Sequence, residues 1–79
     1  MSEHSVLIET HAFSLESKIR VEYQVFDTQT GMVYAKVTIF NPEPDFNIES
    51  REIVQLYTGS FDSKLTLERI NQDLSRRNL

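Results

Sequence analysis

The sequence contains no cysteine and no tryptophan, and only two glycines and two prolines. Without cysteine the chain can form neither a disulfide nor a thiolate zinc site, and it has no cysteine nucleophile. Two glycines are too few for a glycine-rich loop that cradles phosphates. A chain of 79 residues buries a small core. We therefore expect self-association or a partner to add to its stability.

A long apolar run and an excess of basic residues are also missing. No stretch approaches the length of a membrane-spanning helix, and residues 1–5 have neither the basic flank nor the apolar core of a signal peptide. A cytoplasmic location is therefore expected. Eight basic residues against twelve acidic ones give a net charge of −4, which argues against a general phosphate-binding surface. The remaining composition is typical of one globular domain over residues 1–79.

The strongest pattern runs from residue 18 to residue 40, where apolar and polar residues alternate along two segments. The apolar positions are Ile19, Val21, Tyr23 and Val25 in the first segment and Val33, Ala35, Val37 and Ile39 in the second. This period of two predicts a β-hairpin with one buried face. A three-residue loop over residues 29–31, with a left-handed Gly31 last, pairs Val25 with Ala35. A four-residue loop would set the two apolar rows on opposite faces, so we reject it.

Three further segments surround this hairpin. Residues 6–13 are rich in β-forming side chains and predict a first strand. Residues 41–45 contain two prolines, which disfavour a continued strand and indicate an acidic, extended loop. Residues 52–58 have the composition of a strand, although the same apolar residues would also line a short helix. We favour the strand.

The C-terminal segment predicts a helix. Asp62 or Ser63 provides the N-cap, and Leu67, Ile70 and Leu74 recur at helical spacing to face the sheet. Leu65 lies off that stripe and is expected beneath the first turn. The predicted fold class is α+β, with an antiparallel sheet of three to four strands around the central hairpin 18–40, packed against one C-terminal helix.

Candidate catalytic and metal-ligating side chains are few. His4 and His11 fall on opposite faces if one strand carries both, so they do not build a metal site together. Glu9, Glu22 and Glu52 are expected as solvated glutamates of the sheet's outer face, since no pattern brings two of them together for acid–base chemistry. No serine lies in a nucleophile-elbow context. We expect no enzymatic activity, no cofactor, no metal and no small-molecule substrate.

The segment after the hairpin is acidic, with Glu43, Asp45, Glu49 and Glu52 in close succession. Such a cluster can steer basic partners or imitate the phosphates of a nucleic acid. Four charges over ten residues are ordinary for a solvated loop, however, and this interpretation is preferred.

The reverse face of the hairpin is the best functional candidate. The same register that buries the apolar row collects bulky and basic residues on the other side, namely Arg20, Phe26, Met32, Tyr34, Lys36 and Phe40. Aromatic side chains ringed by polar groups are typical of protein contact sites. The alternative is that the first strand or the helix covers this face, which would make its aromatic residues core.

We therefore predict a small acidic protein-binding module that acts as a regulator, inhibitor or accessory subunit through a sheet face or edge. Sheet edges pair readily with a strand of a partner or of a second copy, so a symmetric homodimer is also expected.

Nucleic-acid binding is the second hypothesis. A three-stranded antiparallel sheet followed by one helix, with residues 57–64 leading from the last strand into the helix, resembles the small DNA-binding domains of the integrase N-terminal and AP2-like type. The resemblance is one of topology and covers roughly the last sixty residues. It implies that the sheet reads the major groove, with Lys18, Arg20 and Lys36 as contacts. Glu22 lies among these residues, and the net charge of −4 opposes this function.

Overall fold

The computed structural model describes residues 5–28, 30–42 and 47–77. Four strands and one helix follow one another along the chain: β1 (Ser5–Ser14), β2 (Arg20–Thr28), β3 (Met32–Pro42), β4 (Asn47–Thr58) and α1 (Ser63–Arg77). The strands form one antiparallel sheet in the order β1-β2-β3-β4, so β1 and β4 are its edges. The predicted α+β fold, an antiparallel sheet with one C-terminal helix, is confirmed with four strands.

The central hairpin has the predicted register. Val25 pairs with Ala35, and Arg20 pairs with Phe40 at the far end of the ladder. Gly31 closes the loop with a φ of 82°, a left-handed conformation that suits glycine because it has no Cβ. The N–H of Met32 donates to Thr28 Oγ1 at 3.2 Å, which joins the two strands across the loop. Residue 29 lies outside the described residues.

β3 continues further than the two prolines predicted. Asn41 and Pro42 belong to the strand, and Pro42 pairs with Asn47 at the end of the β3–β4 ladder. The strand tolerates proline here because β2 begins opposite Phe40, so β3 has no neighbour on that side beyond this residue. The expected loop is therefore wrong for residues 41 and 42, while residues 43–45 lie outside the described residues.

β4 is also longer than predicted. The strand at residues 52–58 is confirmed, and the helical alternative is wrong, but the strand begins at Asn47 rather than at residue 52. Its pairing with β3 shifts register between Val33 and Tyr34, because Val33 pairs with Tyr57 whereas Tyr34 pairs with Gln55. This bulge leaves Leu56 as the additional residue of β4.

The core lies between the sheet and α1. Its buried members are Val21, Tyr23, Val25, Val33, Ala35, Val37, Leu56, Tyr57 and Ile70. The apolar row predicted from the alternation is therefore the face that the helix covers. Ile39, which belongs to the same row, is only half-buried and packs against this cluster.

The helix begins as predicted, and its buried side matches the prediction in part: Ile70 is fully buried, and Leu74 and Leu65 pack against the core. Asp62 is the N-cap, since its Oδ1 accepts the N–H of Leu65 at 3.0 Å. The buried residues of α1 are Thr66, Ile70 and Asp73. Leu67, which was expected to face the sheet, is 43% exposed. That part of the prediction is wrong because two inward positions are polar, and apolar periodicity alone does not find them.

Hydrogen bonds to two sheet tyrosines explain the polar residues on the buried side of α1. The hydroxyl oxygens of Tyr57 and Thr66 lie 2.6 Å apart, and Tyr23 donates its hydroxyl to Asp73 Oδ2 at 2.6 Å. Tyr23 is fully buried and Asp73 is 5% exposed, so the Tyr23 hydroxyl depends on this carboxylate to satisfy its hydrogen bonding. These contacts fix the helix over β2 and β4.

Asp73 is the centre of a larger polar network. Arg77 Nε donates to Asp73 Oδ2 at 2.7 Å, and Arg76 Nη2 donates to Asp73 Oδ1 at 2.8 Å. Arg77 also bonds Glu52 of β4. Burial alone would raise the pKa of Asp73, but the hydrogen bonds from Tyr23, Arg77 and Arg76 outweigh it and hold that pKa below its usual range. The network therefore ties the last turn of α1 to two strands of the sheet.

The helix of the described part, α1, is neither long nor apolar enough to cross a membrane.

Candidate binding face

The side of the sheet that points away from α1 is called here the outer face. Side chains alternate along each strand, and cross-strand partners share a face, so the register assigns its members. In the three strands from β2 to β4 these include Arg20, Glu22, Gln24, Phe26, Met32, Tyr34, Lys36, Thr38, Phe40, Glu49, Arg51, Ile53 and Gln55. All six residues predicted for partner binding lie on it. Within the described residues neither β1 nor α1 covers this face, because β1 extends the sheet sideways and α1 packs on the opposite side.

A stacked aromatic pair occupies one end of the outer face. The rings of Phe26 and Tyr34 have centroids 5.3 Å apart and planes 13° from parallel. Lys36 Nζ lies 5.2 Å from the centroid of Phe26, within the range of a cation–π contact. Both rings are half-buried, as is Met32 next to the turn. This end is therefore a flat aromatic platform with a cation beside it.

The opposite end of the outer face combines Arg20 with Phe40, which pair across β2 and β3. Phe40 is 40% exposed. On its other side it pairs with Glu49, whose Oε1 lies 2.7 Å from Arg51 Nη2. Six positions along β3 separate Phe40 from Tyr34, a distance of about 20 Å in an extended strand. The predicted residues therefore share one face but lie at its two ends.

A shallow concavity of about 620 Å³ lies between these ends. Lys36, Thr38, Phe40 and Arg51 contribute to its lining, together with Ile53. Ile53 is 69% exposed, which is unusual for a large apolar side chain on a sheet. An apolar group of a partner would therefore meet Ile53 and Phe40 here, next to several charges.

The charge of the outer face differs from that of the whole chain. Three basic residues, Arg20, Lys36 and Arg51, stand against the two acidic residues Glu22 and Glu49, a balance of +1. The complete sequence carries −4. The outer face therefore carries a small excess of positive charge. The acidic residues that make the whole chain negative lie elsewhere.

Sequence reasoning missed the contribution of β4 to this face. In the sequence, Ile53 is one of several apolar residues that could line either a strand or a helix, and no pattern sets the register between β3 and β4. The alternation of Glu49, Arg51, Ile53 and Gln55 is the signal that would have placed them. The bulge at Leu56 hides this alternation, because beyond it the buried side chains of β4 fall one position out of step with those before it.

The three glutamates considered for acid–base chemistry lie in three different surroundings. Glu22 is on the outer face, whereas Glu52 bonds Arg77 on the helix side. Glu9 also lies on the helix side, where its Oε1 is 3.0 Å from His11 Nε2 and its Oε2 accepts the Ser63 hydroxyl at 3.1 Å. The expectation of solvated glutamates on the outer face therefore describes only Glu22.

No metal cluster is found in the part of the chain that the structure describes, where no three His, Asp or Glu side chains come together as ligands. His4, the other imidazole considered for such a site, lies outside the described residues. Lys18, considered for nucleic-acid contact, lies in the β1–β2 turn with a φ of 69°.

The topology also bears on the resemblance to small DNA-binding domains. That resemblance rests on a three-stranded sheet, whereas β1 pairs along β2 and makes the sheet four-stranded. No known protein family, curated protein or solved structure matches this chain.

Proposed function

We propose that this chain is a small, non-enzymatic protein-binding module that acts as a regulator, inhibitor or accessory subunit through the outer face. The observation that carries the proposal is the exposure of two large apolar side chains, Phe40 and Ile53, beside a concavity on a sheet face that the described residues leave uncovered. Exposed apolar groups with a polar rim are characteristic of protein contact surfaces. The proposal assigns the module to the cytoplasm, where a chain without cysteine needs no oxidising compartment to fold.

The outer face suggests which partner chemistry it would accept. The stack of Phe26 on Tyr34 fixes two side chains before binding, which lowers the entropy lost on association. The concavity between Phe40 and Ile53 would receive an apolar side chain. Arg20 at one end of this face and Lys36 beside the concavity favour acidic groups on the partner's contact surface.

Nucleic-acid binding is the second candidate, and the Phe26–Tyr34 platform with Lys36 is the observation that favours it. Aromatic side chains next to a cation can stack unpaired bases. Glu22 and Glu49 lie on the same face, however, and would repel phosphates. The net charge of −4 further weakens any general attraction.

Affinity capture with three baits tests the proposal: the wild-type chain, Ile53→Asp and Leu67→Asp. Ile53 and Leu67 are both exposed large apolar residues, but Leu67 lies on α1, so Leu67→Asp is the matched control. Because both sites are exposed, circular dichroism and thermal melting should show folded variants. We expect the native source to supply a protein that binds the wild type and Leu67→Asp but not Ile53→Asp. Retention of the same proteins by all three baits would contradict the proposal.

Fluorescence anisotropy with labelled single-stranded DNA, duplex DNA and RNA separates the two candidates. The protein-binding function predicts no binding even at low salt. Binding that is steep in salt and lost in Lys36→Gln would establish the nucleic-acid alternative instead.

A further inference from the structure

The edge strand β1 carries an exposed apolar run. Val6, Leu7 and Ile8 are consecutive, and they are 59%, 49% and 38% exposed. β1 is ten residues long and contains no lysine, arginine or proline, the residues that commonly protect sheet edges. A long edge of this kind presents unpaired backbone N–H and C=O groups beside apolar side chains. It is therefore the part of the described surface best suited to pair with another strand.

The opposite edge differs in composition. β4 carries three exposed charged residues, Glu49, Arg51 and Glu52, within its first six positions. Among the sheet strands, α1 makes its most extensive contacts with β4. Charged side chains and a nearby helix are both recognised ways of protecting a sheet edge. Of the two edges, β1 therefore has the weaker protection: its one acidic side chain is Glu9, which accepts the Ser63 hydroxyl, and a register shift interrupts it between Leu7 and Glu9.

We propose that two copies of this chain pair through β1, antiparallel and about a two-fold axis at Thr10, to form one continuous eight-stranded sheet. An axis perpendicular to the sheet makes the interface self-complementary, because each copy presents the same edge to the other. Thr10 then faces Thr10 of the second copy, and Glu9 of each copy faces His11 of the other. This arrangement sets a carboxylate opposite an imidazole twice, and it uses nearly the whole strand.

The local geometry of β1 agrees with an axis at this position. Residues 9–14 pair regularly with β2, and the register shift lies before them, between Leu7 and Glu9. Thr10 points to the outer face with its partner Gln24, while Glu9 and His11 point to the helix side. About Thr10, Glu9 and His11 therefore pair on the same face in both copies, as an antiparallel ladder requires. Beyond them the additional residue Ile8 shifts the pairing by one position, so Val6 of one copy faces Phe13 of the other, both on the helix side. The dimer does not depend on the proposed function, because it uses the edge of β1 and not the outer face.

Single-cysteine cross-linking tests the axis directly, since the natural chain contains no cysteine to compete. In Thr10→Cys the two thiols should lie within reach of a disulfide, and mild oxidation should convert most of the protein to a covalent dimer. Ala12→Cys is the matched control on the same strand and face. Its two thiols would be four positions apart, about 14 Å along the strands, so little dimer should form. Equal cross-linking in both variants, or none in either, would overturn the proposal.

Sedimentation velocity of the full chain over a concentration series provides the second readout. The wild type should show a monomer–dimer equilibrium, and Leu7→Lys should weaken it at least about tenfold by placing a charge on the edge. Leu67→Lys, a charge at an exposed site of α1, should leave the dimer constant unchanged. A wild type that remains monomeric would refute the dimer. Higher assemblies without the Thr10 cross-link would show head-to-tail pairing of β1 with β4 instead. Ile53→Asp should dimerise normally, so this outcome is separable from the test of the outer face.

Discussion

Removal of the Asp73 carboxylate should strongly destabilise the fold. In Asp73→Ala the hydroxyl of Tyr23, a residue with 0% exposure, loses its partner, which costs about 1–3 kcal/mol. Arg77, whose side chain is 14% exposed, keeps Glu52 but loses a charge-assisted bond worth about 1.5–3 kcal/mol. The better helix propensity of alanine returns about 0.5 kcal/mol. We expect a net loss of about 3 kcal/mol in the free energy of unfolding, a large part of the stability of a small domain.

Urea denaturation followed by circular dichroism measures this loss, and a double-mutant cycle tests its origin. Tyr23→Phe should cost about 1.5 kcal/mol, because Asp73 keeps both arginines while one hydrogen bond is lost. The double variant should cost about 1–1.5 kcal/mol less than the sum, since without the hydroxyl no buried donor is left unpaired. Asp73→Asn, which keeps an acceptor for Tyr23, should lie between the wild type and Asp73→Ala.

Two results would refute this account of the network. One is a cost below about 1 kcal/mol for Asp73→Ala, which would mean that water replaces the carboxylate. The other is strict additivity in the cycle, which would mean that Tyr23 and Asp73 do not interact energetically.

The remaining predictions concern pH, the helix cap and the hairpin turn. Because the pKa of Asp73 in the folded protein lies below its usual value of 3.8, its contribution is present at neutral pH and should be lost as the pH falls below that value, a loss absent in Asp73→Asn. Burial, and then the hydrogen bond to Asp73, raise the pKa of Tyr23 above its usual 10.0; stability should therefore also fall as the pH rises above that value, but not in Tyr23→Phe. Asp62→Ala removes the acceptor for the N–H of Leu65 and should cost about 1 kcal/mol in urea denaturation, whereas Asp62→Asn should retain most of the stability. Gly31→Ala forces a Cβ into a left-handed turn and should lower stability by about 1–2 kcal/mol in the same assay, against little change for Thr30→Ser, which keeps the hydroxyl that contacts Thr28 Oγ1; equal effects would show that the turn imposes no strain.

Local patterns were sufficient to predict the central hairpin. The period of two in β2 and β3, joined by a loop that ends in Gly31, allowed one register that buries both apolar rows. The N-cap at Asp62 was predictable for the same reason, since a cap depends on the residues next to it. The six outer-face residues follow from the hairpin register alone.

Long-range contacts decided what local patterns did not predict. Tyr23 and Asp73 are 50 residues apart, and neither residue type predicts that the two side chains share a buried hydrogen bond. Pro42 is a poor strand residue in general, and it is accepted here only because β2 does not extend beyond Phe40. The β3–β4 register also depends on a bulge at Leu56 that has no sequence signature of its own. The concavity beside Ile53 could therefore be found only in the folded sheet.

The central claim, that a partner binds the outer face, is tested most directly by methyl NMR of the isoleucine side chains. Spectra are compared before and after addition of the protein captured by the wild-type bait. Ile53 lies on the outer face, whereas Ile70 lies on the sheet-facing side of α1, is fully buried, and serves as an internal reference. Binding through the outer face predicts that the Ile53 methyl resonance shifts or broadens while that of Ile70 stays in place. A shift confined to Ile70, or an unchanged Ile53 in a formed complex, would contradict it.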